Sequence, residues 1–243
     1  MVHAFFDPAQ TAAFNEAALK RDSDFEIRYF GLHGLGDMAR MMLAAGGAKF
    51  TTINPENWAE EKPKAPFGVM PLLKETTSDG KVIQISESSA IDRYIAKKFG
   101  FLGDNAFEEN LVNTFVSNDQ SLQDQIFVKY LRIKDVEEKA EAKKLLVENS
   151  VAPWIKNHEQ HLQANGANGH YVGNKTTMAD FKTAMMVRMV QGIIGEDIIS
   201  QKKTPALLKV KTQVDNIPSL AAWRTTDEYK ALAEKNFAIL CYN

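Results

Sequence analysis

The chain has 243 residues, enough for one large domain or two small ones, and its 44% hydrophobic and 25% charged content is ordinary for a globular protein in water. The 29 Lys and Arg against 31 Asp and Glu leave a formal charge of -2, which argues against nucleic acid and against an anionic membrane surface as partners. A single cysteine, Cys241, excludes an internal disulfide and a cysteine-rich metal site, and no apolar run approaches the ~18 residues of a membrane span.

Residues 1–23 read as an extension, with Asp7-Pro8 starting a short helix through Leu19. It is neither Arg-rich and amphipathic nor built on an apolar core, so no transit or secretory signal is expected and a cytoplasmic location is. Phe25 to Phe30 alternates with Phe25, Ile27 and Tyr29 on one face, the pattern of a strand. Gly31 to Gly36 must be a loop. Asp37 to Ala45 carries Met38, Met41, Met42 and Ala45 at helical spacing and stops at Gly46-Gly47. Phe50 to Ile53 is a second short strand, and Asn54 to Pro66, with its prolines, predicts no regular element of any length.

Met70-Pro71 then leads into a third strand, Leu72-Leu73. A polar turn, Thr76 to Gly80, joins it to a fourth, Val82 to Ile85. Glu87-Ser88-Ser89 follows, directly before Ala90, Ile91, Ile95 and Phe99 at helical spacing. A helix N-terminus presents unpaired N–H groups and partial positive charge, so this one suits a small carboxylate. The bland alternative is that Glu87 and Ser88 only cap the helix.

Beyond Gly103-Asp104 the patterns are helical throughout: Phe107 to Arg132, Glu137 to Gln163, Phe181 to Met189, Ala206 to Val214, Ser219 to Arg224 and Asp227 to Phe237. Thr177 and Asp180 have capping-box spacing. The reading is thus α/β plus all-α: an extension, 1–23; a small α/β domain, 24–102; and an all-helical domain, 107–243. Of the five histidines, only His158 and His161 share a helical face, and with no third ligand nearby no metal site is expected.

Phe67-Gly68-x-x-Pro71, Glu87-Ser88-Ser89-Ala90-Ile91-x-x-Tyr94 and the Thr177-to-Asp180 box resemble the cytosolic glutathione transferases over residues 25–243. Among classes the chain looks most like sigma, through the Tyr29-Phe30 strand end, the glycine loop and Arg40 on the first helix. The resemblance implies a thioredoxin-like domain, a helical domain carrying the hydrophobic substrate site, a homodimer, glutathione as co-substrate, no metal and a small hydrophobic electrophile as partner. Tyr29 matches the catalytic tyrosine, and from Asp24 to Lys49 there is no Ser, Thr or Cys to compete with it. Glutathione binding is implied for Trp58, Lys62, Met70, Pro71, Glu87 and Ser88, with Pro71 matching a cis-proline. Gly34, Leu35, Phe115 and Asp119, with the tail Phe237 to Tyr242, are expected at the electrophile site. Thr177 and Asp180 are structural.

Two departures stand out. Leu35 sits where sigma members often carry an arginine near the thiol, and the acid expected to reach across a dimer falls among Asp119, Gln120 and Ser121. His33, in the loop, is expected to be exposed.

The chemistry needs a thiolate, and a thiol of pKa near ~8.5 is only a few per cent ionised at neutral pH. A tyrosine O–H donated to the sulfur contributes roughly 1.5–3 kcal/mol, about one to two pKa units and at most ~30-fold more nucleophile. The rest of any rate gain must come from holding the electrophile beside the sulfur. The implied reaction is therefore conjugation of glutathione to hydrophobic electrophiles. The alternatives are a glutathione-dependent isomerase of the prostaglandin-D-synthase type, and a non-catalytic binding or structural protein on the same fold.

Overall fold

The computed structural model describes residues 8–240. Asp7, the expected helix start, lies outside them, and so does the tail from Cys241 on. The chain forms two compact units, one comprising the residues up to Phe101 with Ile217–Lys235, the other Leu102–Asn216 with the residues from Asn236 on.

In the first unit, helix α1 (Pro8–Leu19) precedes strand β1 (Asp24–Arg28), helix α2 (Asp37–Ala45), strand β2 (Lys49–Ile53) and a one-turn helix α3 (Trp58–Glu61). Strands β3 (Leu72–Thr76) and β4 (Val82–Ser86) and helix α4 (Ser88–Phe99) follow. Segment 54–66 is therefore more regular than its prolines predict, because α3 fits between Pro55 and Pro63, and Pro63 itself sits near the start of a 3₁₀ turn at Lys62–Lys64, where its missing N–H is not needed. The sheet order is β2-β1-β3-β4, with β1 parallel to β2 and antiparallel to β3, and β3 antiparallel to β4. Phe25 and Ile27 of β1, Leu73 of β3, Met41, Met42 and Leu43 of α2, and Ile91 and Ile95 of α4 are almost wholly shut off from water. Burial of this apolar face, at about 25 cal/mol per Å², is what assembles the unit. Gly100, in the left-handed region at φ 79°, ends α4.

The extension is not a loose tail. Lys98 near the end of α4 donates to the carbonyls of Ala17 (3.0 Å) and Ala18 (3.4 Å) in the last turn of α1 and to Glu75 Oε1 (2.7 Å) on β3. Glu75 also accepts from Ser23 Oγ (2.5 Å) and Tyr94 Oη (2.7 Å).

The second unit holds α5 (Ala106–Ile126), α6 (Val136–Leu146), α7 (Ala152–Ala164), α8 (Met178–Ile194) and α9 (Pro205–Asp215). Among the described residues no strand follows β4. Asn105 opens α5 by accepting from the Phe107 and Glu108 N–H groups. The helical pattern over 137–163 is continuous but carries a π turn at Val147–Val151 between α6 and α7. Pro153 explains it, since it has no N–H for the carbonyl of Asn149 and its ring crowds that carbonyl. α8 is buried along most of its length and packs between α5 and α9. α10 (Pro218–Arg224) and α11 (Asp227–Leu240) close the chain, and up to Lys235 they group with the first unit although the sequence reads as one helical run from 107.

Candidate active site

The sheet register places three of the expected site residues in one row. Arg28 on β1 pairs with Leu72 on β3, and Leu72 pairs with Ser86 on β4. One residue beyond each pair stand Tyr29, Pro71 and Glu87, lined across three neighbouring strands at the same end of the sheet. Strands lie about 4.8 Å apart, so the row spans roughly 10 Å. The Tyr29 N–H still reaches the Ile53 carbonyl of β2 (3.0 Å), which holds its backbone on the sheet. The Met70–Pro71 peptide bond is cis.

Tyr29 is 8% exposed and its surroundings are closely built. Its hydroxyl takes the backbone N–H of Leu35, and burial pushes the phenol up, against the opposing pull of that N–H and of the Arg40 cation. The phenol is therefore protonated at neutral pH, and with Leu35 occupying one acceptor position its own O–H is left to donate. The glycine loop lies directly over it. A Cβ on Gly34 would sit 2.8 Å from the Tyr29 hydroxyl oxygen and one on Gly36 3.1 Å from the ring, and Gly34 also has φ +41°. Arg40, fully buried, puts its guanidinium carbon 5.9 Å from the Tyr29 ring centre and donates from Nη1 to the Leu32 (2.9 Å) and His33 (3.4 Å) carbonyls.

His33 is not the exposed loop residue its setting suggests. It is 1% exposed, 4.7 Å centre to centre from the Tyr229 ring and 6.5 Å from Trp223, with Nδ1 3.0 Å from Asp37 Oδ1. The helices α10 and α11 cover it, and nothing local in the sequence could reveal that.

At the other end of the row Glu87 takes φ 72°, rare for a residue with a side chain. It is the N-cap of α4, yet its carboxylate is exposed and makes no capping bond; only its backbone carbonyl engages the helix, accepting from Ala90 and Ile91. Capping alone does not account for a carboxylate here. Ser88, half-buried, is the first residue of α4. Trp58, half-buried, opens α3, and the exposed Lys62 runs its stem past Gly68, where a Cβ would meet Lys62 Cε at 3.5 Å.

In the second unit Asp119 corrects the expectation that it lines a substrate site or reaches outward. Its side chain has no exposure, Oδ1 accepts from Trp154 Nε1 (2.8 Å) and Oδ2 from Thr183 Oγ1 (2.7 Å). Desolvation pushes its carboxyl up to about 7. His158 Nε2 lies 3.6 Å away, and burial pulls that imidazole down to about 3. The neighbouring candidates are also engaged: Gln120 accepts from Lys182 (2.8 Å) and donates to Asp124 (2.8 Å), and Ser121 donates to the Ser117 carbonyl (3.0 Å). Phe115 is half-buried, 4.4 Å centre to centre from Tyr171 and flanked by His158 and His161. Asp180 Oδ2 accepts from the Thr177 N–H (2.6 Å) and hydroxyl (3.0 Å), closing the capping box, while Oδ1 accepts from the Tyr171 N–H (2.9 Å). The side chains of Phe237 to Leu240, expected at the electrophile site, lie outside the described residues with the rest of that tail.

Among the described residues no group of three His, Cys, Asp or Glu side chains is placed to hold a metal ion, and no helix is long and apolar enough to cross a membrane. Residues 122–227 match the family described as "Glutathione S-transferase, C-terminal domain". The chain is 29% identical over 208 residues to Glutathione S-transferase 3 of Caenorhabditis elegans, covering 82% of this chain and 94% of that one. It is 32% identical over 169 residues to Probable glutathione S-transferase 7 of the same organism, covering 66% and 77%. The structure superposes on the sigma class GST of Fasciola hepatica with a TM-score of 0.73 at 25% identity, covering 84% of this chain and 95% of that one. The β2-β1-β3-β4 sheet, the helical second unit and these matches place the chain in the glutathione S-transferase family.

Proposed function

We propose that the protein conjugates glutathione to small hydrophobic electrophiles, with Tyr29 as its catalytic residue. The observation that carries this reading is the row of Tyr29, Pro71 and Glu87 at one end of the sheet. A thiol tripeptide laid along that row meets a hydroxyl at one end and an anion-binding helix start at the other. Met70, beside Pro71, offers backbone groups to the cysteinyl portion in the manner of an added strand. Ser88 and the N–H groups of α4 hold the γ-glutamyl carboxylate, Glu87 the adjacent ammonium, and Trp58 and Lys62 the glycyl end. Glutathione is a co-substrate here, not a resident group.

In the reaction the thiol proton leaves to solvent and the thiolate accepts a hydrogen bond from Tyr29 Oη, which keeps its own proton throughout. The sulfur lone pair forms the S–C bond as the electrophile's leaving group departs with its bonding pair. With a halogenated nitrobenzene the products are the aryl thioether and halide. The family resemblance extends the proposal to a homodimer acting in the cytoplasm.

The test is retention on glutathione-agarose followed by conjugation of a halogenated nitrobenzene by wild type and Tyr29→Phe. Wild type is retained and active; the variant is retained with activity lowered at least tenfold, about the worth of one charge-assisted hydrogen bond. Equal activity in the two proteins removes the role of Tyr29, and failure of wild type to be retained removes the glutathione reading itself.

A further inference from the structure

We propose that Gly31, Asn54 and Lys235 form an anion subsite beside Tyr29, and that the electrophiles this protein prefers are apolar molecules carrying a carboxylate. This rests on the conjugation reading above and names its substrate class.

Gly31 follows the strand end that carries Tyr29 and Phe30. Unlike Gly34 it does not take a positive φ, so its backbone does not require glycine. What the missing side chain leaves is room between two donors. A Cβ at this position would stand 3.1 Å from Lys235 Nζ and 3.2 Å from Asn54 Nδ2. All three residues belong to the first unit. Lys235 is exposed on α11, and among the described residues no carboxylate pairs with its ammonium. Glu228, two turns earlier on the same helix, is engaged by the Thr52 N–H (3.1 Å). Asn54 is exposed too, and its side-chain amide has no hydrogen-bond partner among the described residues. An ammonium and an amide bordering one spot are the donors that the two oxygens of a carboxylate take, at about 2.7–2.9 Å each.

The sheet sets this cradle next to the reacting group. Tyr29 donates its N–H to the Ile53 carbonyl (3.0 Å), and Asn54 is the next residue. Gly31 stands two residues past Tyr29, a reach of at most about 7 Å. In the order β2-β1-β3-β4, the row assigned to glutathione leads from Tyr29 over β3 and β4, whereas Asn54 flanks Tyr29 on the β2 side. The γ-glutamyl carboxylate goes to Ser88 and α4 and the glycyl one to Lys62, so an anion at Lys235 comes from the second substrate. Phe30 supplies the apolar counterpart. It is 43% exposed, with its ring centre 5.4 Å from that of Tyr29. An electrophile seated here lays its apolar body on Phe30 and its carboxylate between Lys235 and Asn54.

The test uses N-(chloronitrobenzoyl) derivatives of glycine, β-alanine and γ-aminobutyrate, each as free acid and as methyl ester. The ring and its leaving halide are the same in both, so the acid-to-ester ratio of kcat/KM, corrected for the uncatalysed rates, reads the charge alone. With the best spacer wild type should favour the acid about fivefold, the upper end for an exposed ion pair. Lys235→Gln should bring the ratio close to one, Lys235→Arg should keep it, and Lys235→Glu should invert it. Asn54→Ala removes a donor and Gly31→Ala puts a methyl group between the donors, and each should lower the ratio about twofold. Added salt should shrink the wild-type preference and leave the Lys235→Gln ratio unmoved.

A wild type that favours the acid with none of the three spacers overturns the proposal. So does a ratio unchanged in Lys235→Gln. A ratio that responds to Lys235 but to neither Asn54→Ala nor Gly31→Ala also overturns it, since it shows a free surface cation and no built site. A raised KM for glutathione in Lys235→Gln, with the ratio unchanged, would move Lys235 to the glycyl carboxylate instead. If wild type conjugates neither acid nor ester, the conjugation reading fails on its own. The cradle is then read by calorimetric binding of the halogen-free acid and ester to wild type and Lys235→Gln, where the same preference and its loss are required.

Discussion

The Lys98 ammonium lies 2.7 Å from Glu75 Oε1, with side-chain exposures of 1% and 0%. An ion pair so enclosed is stable only if the remaining donors and acceptors are filled. Here they are filled by the α1 carbonyls of Ala17 and Ala18 on one side and by the hydroxyls of Ser23 and Tyr94 on the other. Lys98→Met leaves Glu75 as a buried carboxylate without its cation and is expected to cost about 3–5 kcal/mol. Urea unfolding measures it, and Glu75→Gln in the same chain should recover part of the loss. An additive double variant would show that the two groups are not coupled.

The same network predicts what the extension does. Deleting residues 1–20 removes two of the three acceptors of Lys98, each worth about 1.5–3 kcal/mol as a partner of a charged donor. At roughly 2–4 °C per kcal/mol for a protein of this size, Tm should fall by at least about 5 °C. A truncated protein melting with wild type would show that α1 is not held.

Ser88 at the start of α4 should govern binding and leave the chemistry alone. Ser88→Ala is expected to raise KM for glutathione about tenfold with kcat nearly unchanged, the pattern of an interaction made equally in ground and transition states. A loss of kcat at constant KM would place Ser88 at the reacting sulfur instead.

Asp180 accepts three hydrogen bonds at zero exposure, so Asp180→Ala strands the buried N–H groups of Tyr171 and Thr177. Stability should drop by at least about 2 kcal/mol. Unchanged thermal stability in this variant would sink the capping role.

Asp119 and His158 make opposite contributions to stability against pH. The Asp119 carboxyl rises from 3.8 to about 7 on folding, so between those values the folded state holds a proton that the unfolded state lacks, and stability falls as pH rises. His158 drops from 6.5 to about 3, so between those values the unfolded state holds the extra proton, and stability falls as pH falls. From about pH 4 to 6.5 the two slopes cancel. Asp119→Asn removes one of them, so relative to wild type, where these two contributions offset each other, its stability should decline more as pH drops from 6.5 towards 4. Denaturant titrations at stepped pH read this directly, and parallel curves for the two proteins would refute it.

Much of the fold follows from local pattern. The alternation of Phe25, Ile27 and Tyr29 and the helical spacing of Ile91, Ile95 and Phe99 each follow from burial of one face, a one-dimensional property that a chain displays in order. The Thr177–Asp180 box is equally local, since both partners lie within one turn. By itself, then, the sequence determined the α/β half, the helical half and the family motifs at Pro71 and Glu87. Which residues meet across long separations was decided by tertiary structure alone. Strand register aligned Tyr29 with Pro71 and Glu87. Packing drew Asp119 inward to Trp154 and Thr183, covered His33 with Trp223 and Tyr229, and buried Arg40 behind Tyr29. The physical reason is the same in each case: a polar side chain's partner, and hence its charge and role, depends on what folding brings within about 3 Å of it, and sequence spacing carries no record of that distance.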